Sequence, residues 1–113
     1  MAQRRRRFLK ACVAALLGPP ALAASAGEPA LLVEIRDYKF FPDKLTVKSG
    51  TTVRWINQEK RTTHSILFTG AGGFESERMF PGEHWERLFD KPGSYPYSCG
   101  PHPEMKGLVE VTP

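Results

Sequence analysis

From residue 31 onward, apolar and polar residues alternate in short runs broken by turn residues, which is the pattern of half-buried strands. The first run, residues 31–36, sets Val33 and Ile35 against Glu34 and Arg36. Phe41-Pro42-Asp43 reads as a turn, and Leu45, Val47 and Lys48 form a short strand stopped by Ser49-Gly50. Residues 51–56 place Val53 and Trp55 on one face and Arg54 and Ile56 on the other. Residues 63–68 are a further β-rich run, and residues 69–73, with three glycines, are a turn. Residues 85–89 form another strand ended by Asp90-Lys91-Pro92-Gly93. Residues 94–98 alternate Tyr95 and Tyr97 with smaller side chains, and residues 108–111 close the chain. No stretch keeps a helical period for more than about two turns. The pattern predicts an all-β fold, a small antiparallel Greek-key β-sandwich of about seven or eight strands. Trp55, Trp85, Tyr95 and Tyr97 are expected in its core, Met79 in packing and His84 in solvent.

The first 26 residues do not fit that pattern. Arg4 to Arg7 and Lys10 make a dense positive start, residues 11–17 are apolar, and Gly18-Pro19-Pro20 breaks any helix. Two small-residue patterns follow, Ala21-Leu22-Ala23 and Ala24-Ser25-Ala26, so a cleavable export signal over 1–26 is expected, with the folded domain over 27–113. Arg5-Arg6-Arg7-Phe8-Leu9-Lys10 resembles the twin-arginine export motif. The apolar stretch is far shorter than the roughly 20 residues a bilayer span needs, so no permanent membrane anchor is expected.

The leader changes the charge argument. The whole chain has 16 Lys and Arg against 12 Asp and Glu, a net charge of +4. Five of those cations lie in the leader, leaving 11 against 12, or −1, for the domain. No basic patch remains to recruit nucleic acid or an anionic membrane. Of the two cysteines, Cys12 falls in the leader and Cys99 is alone in the domain. A lone thiol in an oxidising compartment has no partner and invites oxidation, so it needs a reason to be there. A metal is one.

The segment Cys99-Gly100-Pro101-His102-Pro103-Glu104-Met105 puts a thiolate, an imidazole and a thioether at positions 1, 4 and 7 of one tight loop. Gly100 and the two prolines suit a rigid turn. Soft sulfur donors combined with imidazole select copper over hard cations, and a His₂Cys plane with a weak axial Met is the blue-copper electron-transfer set. The loop supplies one His, so the second must come from the remaining pair, His64 and His84.

Several segments together resemble the cupredoxins of the plastocyanin and amicyanin type. They are Phe41-Pro42, Gly50, Val53-Arg54-Trp55-Ile56-Asn57, His64, Pro92-Gly93-Ser94-Tyr95, Cys99 through Met105, and Gly107. The two residues between His102 and Met105 match the short loop of amicyanins; plastocyanins have longer ones. The resemblance implies a copper ion held by His64, Cys99, His102 and Met105, with His102 as the partly exposed ligand through which electrons pass. It implies Pro101 and Pro103 on an apolar docking patch, and a monomer in the periplasm between redox proteins. Those would be a periplasmic amine dehydrogenase as donor and a c-type cytochrome as acceptor. Two departures stand out. Thr63 and Ser65 flank His64 where the family often has Pro and Asn, the Asn normally tying the two ligand loops by a hydrogen bond. Glu104 puts a charge in a loop usually surrounded by apolar surface.

Three histidines are too few for the additional copper ions of oxidases and nitrite reductases, so the chain is not expected to be an enzyme by itself. The rival reading is a periplasmic copper-delivery protein without a redox role. Structural zinc from the same residues is weaker, since zinc rarely takes Met.

Overall fold

The computed structural model describes residues 31–113, so the expected export signal and Cys12 lie outside the described residues. Eight strands follow one another: β1 (Leu31–Arg36), β2 (Lys39–Phe41), β3 (Lys44–Lys48), β4 (Thr51–Asn57), β5 (Leu67–Phe68), β6 (His84–Phe89), β7 (Gly93–Ser98) and β8 (Lys106–Thr112). They form two four-stranded sheets, ordered β2-β1-β4-β6 and β3-β8-β7-β5. The expected sandwich is present, and each sheet is mixed: β1 runs parallel to β4, and β3 parallel to β8, beside antiparallel neighbours. A parallel pair needs a crossover, and here the chain supplies it by leaving one sheet for the other between partners.

The alternation read from the sequence is the alternation of burial. Val33, Ile35, Val53, Trp55 and Phe89 point in from one sheet, and Val47, Phe68, Tyr97, Val109 and Val111 from the other. Trp55 is the hub, its ring centroid 5.4 Å from Tyr97, 5.6 Å from Trp85, 6.2 Å from Phe68 and 6.3 Å from Phe89. Fully burying one such side chain is worth about 2–3 kcal/mol, so this cluster carries much of a small core. Trp85 and Tyr95 are only partly buried at its rim. Gly107 lies opposite Tyr97 in the β7–β8 ladder, and a Cβ there would overlap the Tyr97 ring.

Two elements differ from the sequence reading. The strand expected over 63–68 narrows to Leu67–Phe68, because His64, Ser65 and Ile66 are all fully buried in succession. Three consecutive buried residues leave the pleat, whose side chains must alternate. Phe41, expected in a turn, instead ends β2, which folds back on β1 through the two-residue turn Asp37-Tyr38. Both turn residues have positive φ, 52° and 57°, as a type I′ hairpin turn requires.

Candidate metal centre

Cys99 directly follows β7 and Met105 directly precedes β8, so the seven-residue loop is a hairpin connection. Two backbone bonds close it: Cys99 N–H donates to Met105 O (3.1 Å), and Met105 N–H donates to His102 O (2.9 Å). The prolines at 101 and 103 remove two donors that such a short loop could not satisfy. Cys99 is fully buried, Met105 is 3% exposed, and His102 is only partly covered.

The second imidazole comes from the other side. His64 sits in the connection between β4 and β5, where its backbone exchanges two hydrogen bonds with Met79, at 3.2 and 2.8 Å. It is fully buried. Its Nδ1 lies 3.5 Å from Cys99 Sγ, and His102 Nδ1 lies 3.6 Å from the same sulfur. The three donor atoms are all within 4.8 Å of one another. Bonds of about 2.1 Å to nitrogen and 2.3 Å to sulfur, at a trigonal angle, would separate such donors by roughly 3.8 Å. The set therefore fits one soft ion. His84 stands apart, exposed at the start of β6.

Other groups hold the buried histidine in place. Its Nε2 faces Glu59 Oε2 at 3.2 Å, which favours the tautomer that donates there and leaves the Nδ1 lone pair toward the sulfur. The same Glu59 oxygen accepts the Tyr38 N–H at 2.7 Å. Asn57, also fully buried, sets the loop by accepting from Glu59 N–H and donating to the carbonyls of Thr62 and Met79, each at 2.9 Å. Burial pushes the His64 imidazole below its ordinary 6.5, while Glu59 pulls it back up. Burial pushes the Cys99 thiol up; the backbone N–H groups of Ser65 and His102 favour the thiolate, as does Arg78, and Glu75 opposes it. A cation at the sulfur would complete what those N–H groups begin.

The structure thus brings together Cys99, His102 and His64, with Met105 buried at the end of the same loop. Ser65 does tie the two ligand loops in place of the family's Asn: Gly100 N–H donates to its hydroxyl at 3.1 Å. Asn57, Glu59 and Tyr38 were not legible as site residues. Glu59 precedes His64 by five positions and Tyr38 by twenty-six, spacings that carry no local signal.

The family model for copper binding proteins of the plastocyanin/azurin family matches residues 28–112. Amicyanin of Paracoccus denitrificans is 32% identical, the match covering 94% of each chain. The crystal structure of amicyanin from Paracoccus versutus superposes with a TM-score of 0.70 at 33% identity, over 77% of this chain and 87% of that one. A copper-containing nitrite reductase from Thermus scotoductus also superposes with a TM-score of 0.70, at 30% identity, over 76% of this chain and 23% of the enzyme. Fold, donor set and relatives agree: the chain belongs to the copper-binding plastocyanin/azurin family of cupredoxins and is similar to its amicyanins.

Proposed function

We propose that this chain is a periplasmic single-electron carrier in which His64, Cys99, His102 and Met105 would hold copper. The observation that carries this reading is the Cys99 sulfur with an imidazole nitrogen 3.5 Å away on one side and 3.6 Å on the other. Bound there, copper supplies a one-electron Cu(II)/Cu(I) couple. The residues do the rest. Cys99 and His64 are sealed from water, so the donors are held rigidly and little rearranges when charge changes. His102, at the partly exposed edge between Pro101 and Pro103, is the route for electrons to and from a docked protein.

The partners proposed are redox proteins, a periplasmic dehydrogenase on one side and a c-type cytochrome on the other. Export rests on the basic and apolar leader, and among the described residues no helix is long and apolar enough to cross a membrane. The copper-delivery reading fits less well, since a courier must release its ion and here two donors are fully buried. Catalysis by the chain alone is not proposed, because its third histidine, His84, is exposed on β6 and lies outside the donor cluster.

Copper(II) added to the exported domain tests this reading. Intense absorption near roughly 600 nm, with a narrow copper hyperfine splitting in EPR, is the expected result. A pale spectrum with ordinary splitting would remove Cys99 from the ligand set and leave copper delivery as the better account.

A further inference from the structure

Beside the ligand loop lies a chain of polar groups that the copper-binding roles leave unused. Gly100 N–H donates to Ser65 Oγ at 3.1 Å, and Ser65 Oγ donates to Glu75 Oε2 at 2.6 Å. Arg78 Nε stands 3.9 Å from the same carboxylate oxygen. A hydroxyl has one proton, and that of Ser65 is committed to Glu75, so toward Gly100 it can only accept. A charged acceptor on its far side makes it a better acceptor still. Ser65 is fully buried, while the Glu75 and Arg78 side chains are 38% and 53% exposed.

Gly100 is shaped to this arrangement. A Cβ at position 100 would overlap Glu75 Oε2 and come within 2.7 Å of Ser65 Oγ. Gly100 is not among the positive-φ residues, so close approach rather than backbone conformation calls for glycine. A larger residue there would expel the carboxylate. Glycine 100, serine 65 and glutamate 75 therefore form one fitted set joining the His64 segment to the Cys99 loop. Two opposite charges thus stand beside the Cys99 loop, Glu75 reaching it through Ser65 and Gly100, and Arg78 next to that carboxylate.

We propose that Glu75 is a positioning residue of the metal centre: through Ser65 it fixes Gly100 beside Cys99, and its charge, set against that of Arg78, tunes the reduction potential of the bound copper. The tuning half of this proposal rests on the copper reading above. The sign follows from electrostatics. Reduction adds a negative charge, so Glu75 holds the potential down and Arg78 holds it up.

The test uses the copper-loaded protein and its Glu75→Gln, Glu75→Ala, Arg78→Gln and Ser65→Ala variants, with two readouts. In a redox titration, Glu75→Gln should raise the potential and Arg78→Gln lower it. Each should shift the Cu(II)/Cu(I) ratio at a fixed solution potential by about threefold, a value reduced by the exposure of both groups. In the metal-free protein, amide hydrogen exchange at Gly100 should speed up several-fold in Ser65→Ala and Glu75→Ala. In Glu75→Gln, whose amide oxygen can still accept from Ser65, it should change little. Opposite shifts in potential separate tuning from mere loosening, which would move both variants the same way. Shifts of like sign, or none, would overturn the tuning role, and wild-type exchange at Gly100 in Glu75→Ala would overturn the positioning role. Should the wild type itself lack the blue absorption, the copper reading fails and tuning with it, while Gly100 exchange still decides the positioning role.

Discussion

The ring of Tyr38 stands edge-on to the ring of His102, their centroids 4.9 Å apart, and the same ring meets His64 edge-on at 5.6 Å. One residue of the β1–β2 turn thus touches both imidazoles. It does so from a backbone conformation, φ 57°, that costs a bulky side chain roughly 1–2 kcal/mol. Its N–H bond to Glu59 and its two ring contacts hold it there.

Replacing Tyr38 separates those effects. Tyr38→Ala loses the ring and keeps the strained Cβ, whereas Tyr38→Gly loses both. Urea unfolding of the metal-free variants should find Tyr38→Gly more stable than Tyr38→Ala by about 1 kcal/mol. The reverse order would mean that the turn is not left-handed at this position.

The two imidazoles differ in access, and that difference is testable. Removing the partly exposed His102 as His102→Gly should leave a gap that added imidazole enters from solvent, restoring the blue absorption. His64→Gly should not be rescued, because that position is fully buried behind Tyr38 and Glu59. Equal rescue of both variants would contradict the asymmetry.

The metal-free protein should be most stable between about pH 6.5 and 9. Burial lowers the His64 pKa, so as pH falls through its ordinary 6.5 the unfolded chain takes up a proton that the folded one resists, and stability drops. Burial raises the Cys99 pKa, so as pH climbs through the ordinary 9.0 the unfolded chain loses a proton that the folded one keeps, and stability drops again. Tyr97, pushed up to about 12 by burial, extends the alkaline loss. Urea midpoints measured across this range should trace that plateau; stability rising steadily into acid would refute it.

Asn57 is expected to be the most sensitive polar position outside the ligands. Asn57→Ala strands the Thr62 carbonyl and the Glu59 N–H and removes one of the two donors to the Met79 carbonyl, which keeps the His64 N–H, at a cost of about 2–4 kcal/mol. Because Glu59 loses its anchor, the copper EPR spectrum should broaden as well. A stable variant with an unchanged spectrum would show that the loop orders itself without the asparagine.

Most strands and the whole ligand loop were legible because their signals are local. Val33 and Ile35 alternate within one run, and Cys99, His102 and Met105 share seven residues. What stayed hidden depends on partners distant in sequence. The parallel pairing of β1 with β4 has no local signature, and β2 is too short for a period of two to register. In the sequence Ser65 stands only as a departure from the family's usual Asn; only the fold brings Glu75 to its hydroxyl and leaves the space beside Gly100 that both require.

The margins of the two sheets carry a consequence of their own. Of the four edge strands, β2 has three residues and β5 two, while β3 presents Lys44, Thr46 and Lys48 outward. Aggregation by strand addition needs a long, uncharged run of free backbone, and three of the four margins withhold it. A shuttle must stay dispersed while crowded among its own copies. In this molecule that colloidal property is built into two short margins and a third that carries lysines.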